Sequence, residues 1–245
     1  MARFAVILPA AGKSSRFGGV EKKPFLALDG RPVWLRSAEI FWHRPDVSRV
    51  YLVLSPDDID EFRDRFGHLF AFANAEVVAG GAERFESVAN ALARIPNDVE
   101  FVAVHDAVRP LLPASVVDAV FASAIDHGAT MPGVPVADTL KRVEVGVITG
   151  TVPRAGLWQA QTPQAFRRDW LAAAYAQRAD YGAAITDDCQ LVEAAGHAVH
   201  VVPGSPLNFK ITTRDDFKLA EAILRGTLPP AEAAKSARFG DEAAW

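Results

Sequence analysis

The chain has 245 residues, half of them apolar and 23% charged, with a formal net charge of -4. That size and composition support one substantial buried core, and the acidic balance excludes a general attraction to nucleic acid or anionic membrane, so a basic binding site has to be local. The single cysteine, Cys189, excludes an intramolecular disulfide and a multi-cysteine metal site, and fits a reducing compartment. No run of about 18 or more apolar residues occurs. The chain opens directly on a strand pattern, without the basic and apolar regions of a signal peptide, so a cytoplasmic location is the expectation.

The first element is the apolar run Phe4 to Leu8, read as a buried strand. It breaks into Pro9-Ala10-Ala11-Gly12-Lys13-Ser14-Ser15-Arg16-Phe17-Gly18-Gly19, a loop of small residues with two basic side chains. Such a loop lets backbone N–H groups approach a polyphosphate closely. It lacks both the G-x-x-x-x-G-K-[ST] and the G-x-G-x-x-G spacing, so neither a Walker-type nor a dinucleotide-binding loop is indicated. Lys22-Lys23-Pro24-Phe25-Leu26 and Gly30-Arg31-Pro32-Val33 follow.

Pro32 to His43 reads as a helix with Pro in its first turn, its apolar face drawn from Val33, Ala38, Ile40 and Phe41. Arg49 to Leu54 reads as a second strand. Ser55-Pro56-Asp57-Asp58 then reads as a helix start with an N-cap serine, the helix running to about Phe70. Glu76 to Ala79 is a third strand, Glu83 to Ile95 a helix, Glu100 to Val104 a fourth strand and Pro113 to His127 a helix closed by Gly128. Ala129 to Val136 continues as a strand. Alternation of this kind indicates an α/β fold, a mostly parallel sheet with helices on both faces, whose ligands bind beyond the carboxyl ends of the strands. Gly12, Gly80-Gly81 and Asp106 all fall at such ends.

The rhythm then changes. Residues 138–153 alternate, are rich in β-branched residues and carry glycines suited to a turn, which predicts a hairpin that projects as an arm and embraces a second subunit. Helices are expected near Arg167 to Gln177 and Thr186 to Ala195, a strand at Ala198 to Val202, and a final helix capped at Thr213 and ending near Gly226. Residues 1–226 read as one unit, and 227–245 as a flexible Ala- and Pro-rich tail.

Four further groups carry possible chemistry. Gly80-Gly81-Ala82-Glu83-Arg84-Phe85-Glu86-Ser87 offers backbone groups to a planar base and a hydroxyl to its sugar or edge, or is a plain glycine turn. In His105-Asp106-Ala107-Val108-Arg109-Pro110, Asp106 is placed to hold a metal or substrate hydroxyls, or to pair with Arg109. Asp138-Thr139-Leu140-Lys141, with Arg154 and Gln161-Thr162-Pro163-Gln164, can close around a phosphomonoester. Trp158 reads as a packing residue. Lys210, in Asn208-Phe209-Lys210-Ile211-Thr212, is placed to aim inward or to sit on an edge strand. The six histidines show no metal-ligand spacing.

The opening L-P-A-A-G-x-x-x-R-F-G, K-P-F-L and G-x-P-V resembles that of sugar-phosphate nucleotidyltransferases. Adding H-D-A-x-R-P, D-T-x-K, R-x-G-L-W with T-P-Q, and N-x-K-I-T, the chain from about Phe4 to Gly226 resembles the 2-C-methyl-D-erythritol 4-phosphate cytidylyltransferases of the non-mevalonate isoprenoid pathway. The resemblance implies a Rossmann-like sheet, a homodimer with an exchanged arm, CTP as nucleotide and Mg2+ bound mainly through the triphosphate. By position it implies Arg16 and Lys23 on the triphosphate. Ala10, Ala11, Gly12, Lys13, Gly81, Ala82, Ser87 and Ala107 would hold the nucleotide. Arg16, Lys23, Asp106 and Lys210 would act in catalysis, with Asp106 also a metal ligand, and Arg109, Thr139, Arg154 and Thr162 would hold the polyol phosphate. Ser14 stands where the family has glycine, Lys22-Lys23-Pro24 where it has Pro-Lys-Gln, and Ala82 where an acid is common. The implied reaction is in-line attack of the substrate phosphate on the α-phosphorus of CTP, releasing pyrophosphate. A ribitol phosphate cytidylyltransferase and a non-catalytic nucleotide-binding protein of the same fold share much of this pattern.

Overall fold

The computed structural model describes residues 3–12, 22–70, 74–178 and 185–226. Lys13, Arg16 and the C-terminal segment from residue 227 lie outside them. The strands are β1 (Phe4–Pro9), β2 (Ala27–Leu28), β3 (Arg31–Pro32), β4 (Val47–Leu54), β5 (Ala75–Ala79), β6 (Phe101–Val104), β7 (Ala129–Pro135), β8 (Leu140–Glu144), β9 (Val147–Val152), β10 (Trp158–Ala160), β11 (Gln164–Arg167) and β12 (His200–Pro203). The α-helices are α1 (Val33–Trp42), α2 (Ile59–Phe70), α3 (Arg84–Leu92), α4 (Ala114–His127), α5 (Arg168–Ala176), α6 (Asp188–Ala194) and α7 (Arg214–Leu224).

β5, β4, β1 and β6 lie side by side, all parallel. β11 then runs antiparallel between β6 and β7. β10 continues along the same side of β7, and β12 pairs parallel on the other side, giving an eight-stranded sheet. The expectation of a mostly parallel sheet with helices on both faces holds. β10 and β11 were not expected: each is short and they are separated by Pro163, so neither has an alternating pattern of its own. Their pairing on β7 and β6 defines them.

The sheet faces follow from the period of two in the strands. Phe4, Val6 and Leu8 of β1 pack with α1, α2 and α4 through Trp34, Phe41, Phe62, Val117 and Phe121. Ala5 and Ile7 point the other way, onto Val88 and Leu92 of α3, Leu171 of α5 and Val192 of α6. Strands buried on both faces are continuous apolar runs, as Phe4 to Leu8 is. A smaller cluster, Leu28, Val33, Ile211 and Ala220, ties the 208–224 segment to the β2–β3 hairpin.

The α2 start differs from expectation. Ser55 makes no side-chain cap, and a 3-10 turn over Pro56–Asp58 precedes the helix. The Thr213 cap is as expected: its hydroxyl accepts from the Asp216 N–H, and Asp216 accepts from the Thr213 N–H at 2.7 Å. β8 and β9 form a two-stranded sheet of their own. Its turn has Val145 and Gly146 both at positive φ, 49° and 80°, the signature of a type I′ hairpin. Val145 is fully exposed, and Val143, Val147 and Ile148 of the arm are also open to solvent. Trp158 lies over Gly133 but keeps 46% of its surface exposed, so it is less a core residue than its sequence context suggests. No helix among the described residues is long and apolar enough to cross a membrane.

Gly128 ends α4 at φ +87°, and a Cβ there would lie 2.5 Å from the Trp170 ring. Gly128→Ala is therefore expected to destabilise the protein by about 2 kcal/mol or more, from the left-handed backbone and the clash together. The readout is a lower urea midpoint; an unchanged midpoint would contradict this packing.

Candidate active site

A cleft of about 850 Å³ opens beyond the carboxyl ends of β1, β4, β5 and β6. Ala10, Ala11 and Gly12 enter it from β1, Gly81, Ala82 and Ser87 from the β5–α3 loop, and Asp106 from β6. Lys23 and Lys210 reach it from segments outside the parallel sheet. Nine of the residues singled out from the sequence thus line one cavity although they are spread from 10 to 210 in the chain. Ala107 and Thr162 are buried behind it, Arg109 pairs with Asp106, and Thr139 and Arg154 are exposed at the two ends of the arm. None of these five lines the cleft.

The β5–α3 loop is held by its own side chains. Gly80 must lack a side chain, since a Cβ would come within 2.7 Å of the Ser87 hydroxyl and 3.1 Å of the Leu54 carbonyl. The Ser87 hydroxyl accepts from the Gly81 N–H at 3.1 Å and donates to the Glu83 carbonyl. Glu86 accepts from the N–H groups of Ala82 and Glu83 at 2.7 and 3.2 Å. The loop's N–H donors are thereby occupied. What it presents to a ligand is carbonyl oxygens and one remaining lone pair of Ser87.

The opposite wall centres on Asp106. Its Oδ2 accepts from Arg109 Nε and lies against Lys210 Nζ, both at 3.1 Å. Burial pushes this carboxyl up, but Lys210, Arg84 and Arg109 outweigh it and hold the group well below the usual carboxylate range. Arg109 Nη1 donates to the Asn208 carbonyl at 2.7 Å, and Asn208 Nδ2 donates to the Thr162 carbonyl at 2.8 Å. Thr162 Oγ1 accepts from the Asp106 N–H and bonds His105 Nδ1 at 3.0 Å. The Arg109 carbonyl, 3.2 Å from Nε2, can only accept, so Nε2 of His105 carries the ring proton, and Nδ1 of the neutral ring accepts from the Thr162 hydroxyl. Three segments distant in sequence are joined in this way. Thr162 positions the Asp106 turn from behind.

The two adjacent lysines are distinguished by their surroundings. Lys22 Nζ is bound to both carboxylate oxygens of Asp58, at 2.6 and 2.8 Å. Lys23 points its Nζ toward the Ile211 carbonyl at 3.5 Å, next in sequence to Lys210. Sequence reasoning missed Arg84 as a wall residue. It pairs at 2.7 Å with Asp188, which also accepts from the Tyr175 hydroxyl at 2.5 Å. A signal was present: a cation in the first turn of a helix opposes the macrodipole and calls for a partner. At the start of α6 Asp187 is the cap, accepting from the Gln190 N–H at 2.8 Å, while Asp188 beside it is the partner of Arg84.

The family model for 2-C-methyl-D-erythritol 4-phosphate cytidylyltransferase (IspD) matches residues 4–226. The chain belongs to this family. It is thus a nucleotidyltransferase, and cytidylyltransferase membership agrees with the motif order read from the sequence. The chain is 44% identical over 237 residues to the cytidylyltransferase of Frankia casuarinae, covering 96% of this chain and 86% of that protein. It is 41% identical over 234 residues to that of Rhodopirellula baltica, with 91% and 95% covered. The crystal structure of the Thermus thermophilus cytidylyltransferase is similar at a TM-score of 0.73 and 32% identity, over 92% of this chain and 100% of that one.

His105 is fully buried, and burial lowers its pKa to about 4, with Asp106 opposing and Arg109 reinforcing the shift. An unfolded histidine titrates near 6.5. Stability from the neutral ring is therefore complete above about pH 6.5 and declines as pH falls toward 4, by up to about 3 kcal/mol. Urea unfolding between pH 7.5 and 4.5 should show this decline, and His105→Gln should flatten it. An equal slope in both proteins would contradict the buried neutral ring.

Proposed function

We propose that this chain transfers the cytidylyl group of CTP to 2-C-methyl-D-erythritol 4-phosphate and releases pyrophosphate. The observation that carries the reading is the meeting of the Gly12 turn, Lys23 and the Asp106–Lys210 pair in one cleft. A phosphate monoester is largely dianionic at neutral pH, with a second pKa of about 6, so the nucleophile needs no general base. Its oxygen forms the new bond to the α-phosphorus. The bond from that phosphorus to the bridging oxygen breaks, and pyrophosphate leaves with the electron pair. The protein's task is to bring two anions together and meet the charge on the transferred phosphoryl group, which is positioning and preorganised electrostatics.

The chain's groups divide that task. Lys23 and Lys210, with Arg16 and Lys13 of the glycine loop, supply positive charge. The carbonyls of the β5–α3 loop suit the exocyclic amino donor of cytosine, because the loop's N–H groups are already bonded. Magnesium keeps several waters and binds through one or two carboxylates plus substrate phosphates. The donor set fits that habit: no cluster of three or more ligating side chains occurs among the described residues, and Asp106 alone would contribute, through its carboxylate. When bound, the ion would neutralise triphosphate charge.

Thr139 and Arg154 flank an arm whose apolar tip is exposed, and neither lines the cleft of its own chain. A homodimer in which each arm reaches the other subunit's cleft would cover the apolar residues and deliver both side chains to the polyol phosphate.

Pyrophosphate release from CTP with magnesium should occur with methylerythritol phosphate and not with ribitol phosphate; the reverse preference, or tight CTP binding without release from either, would overturn the reading. Lys23→Ala should lower turnover about 100-fold or more while leaving the melting temperature nearly unchanged. Equal turnover by variant and wild type at saturating CTP would remove Lys23 from the site.

A further inference from the structure

Arg84 occupies the first position of α3, where its charge opposes the positive end of the helix. Helix stability therefore does not account for it. Asp188, its partner, is 1% exposed, and a buried carboxylate has to be paired. Arg84 itself is 34% exposed and lines the cleft along with Gly81, Ser87 and Asp106. A guanidinium carries five N–H donors in a rigid fork suited to phosphate oxygens. Among the described residues Arg84 makes a hydrogen bond only to Asp188, through Nη2, and its other nitrogens are not among the buried atoms that lack a partner. Arg84 is thus a cleft-lining guanidinium with one nitrogen fixed on protein.

We infer that Arg84 is a further phosphate-contacting residue of this site, aimed by the buried Asp188 carboxylate, which the Tyr175 hydroxyl holds in turn. This rests on the nucleotidyl-transfer reading above. Asp188 and Tyr175 come from α6 and the end of α5, do not line the cleft and act as positioning residues. The arrangement fixes one nitrogen of the fork on protein, in a side chain that shares the cleft with Gly81, Ser87 and Asp106. A planar cation held this way meets developing charge on a phosphoryl group without reorganising during the reaction.

The test is steady-state pyrophosphate release from CTP and methylerythritol phosphate with magnesium, paired with melting temperatures. Arg84→Met strands a buried charge, so it should lower both turnover and melting temperature. In Arg84→Met/Asp188→Asn the melting temperature should recover toward wild type while kcat/KM stays about 100-fold down. Recovery of kcat/KM to more than a tenth of wild type would overturn the inference, because a purely structural pair would restore activity along with stability. Should the double variant not fold, Arg84→Lys decides: it keeps a cation against Asp188 but loses the fork, and kcat/KM above a tenth of wild type overturns the proposal. Asp188→Asn should lower kcat at least tenfold with KM for CTP within threefold. A loss confined to melting temperature removes the positioning role. Wild type that releases no pyrophosphate overturns the underlying reading, and this inference with it.

Discussion

One carboxylate organises this molecule's working end. Asp106 is almost wholly buried, and its Oδ2 faces a lysine and an arginine at once. A buried ion is tolerated only when paired and hydrogen-bonded, and removing one partner of such a group is strongly destabilising. That requirement binds the β6 turn to the 208–211 segment, and Asn208 and Thr162 extend the tie to the end of β10. The carboxyl ends of the parallel strands would otherwise carry independent loops. Here they form one surface with a defined charge arrangement.

The two walls of the cleft are built differently. The β5–α3 side is a backbone loop whose N–H groups are satisfied internally by Ser87 and Glu86, so its shape is set before any ligand arrives. The Asp106 side is a charge network whose cations are held in place by carboxylates. The first arrangement favours recognition of a planar group by acceptors, the second favours phosphates. A nucleotide has both parts, joined at the distance a single cleft can span.

Much of this was legible in the sequence, for a physical reason. Strands that are apolar on both faces, such as Phe4 to Leu8, announce a covered parallel sheet, and such a sheet collects the loops that follow its strands. Gly12, Gly81 and Asp106 could therefore be placed together without knowing any contact. The illegible parts are those defined by partners elsewhere. β10 and β11 are held by register on β7 and β6, and Gln164 to Arg167 shows no signal beyond that pairing. Ser55 has the residue type of a cap but a 3-10 turn follows it. The bonds of Thr162 to His105 and to the Asp106 backbone join residues more than 50 positions apart and leave no local signal. Arg84 and Asp188, 104 positions apart, gain meaning only when α3 and α6 pack on the same sheet face.

The uncharged state of His105 bears on how the site responds to its surroundings. Burial keeps the ring neutral down to about pH 4, and the adjoining Asp106 remains ionised at that acidity. This corner of the cleft therefore keeps the same charge from mildly acidic to neutral solution. The phosphomonoester of the proposed reaction would titrate there, with a second pKa of about 6. In the proposed reaction, sensitivity to acidity would therefore arise at the substrate's own oxygens before it arises at His105 or Asp106.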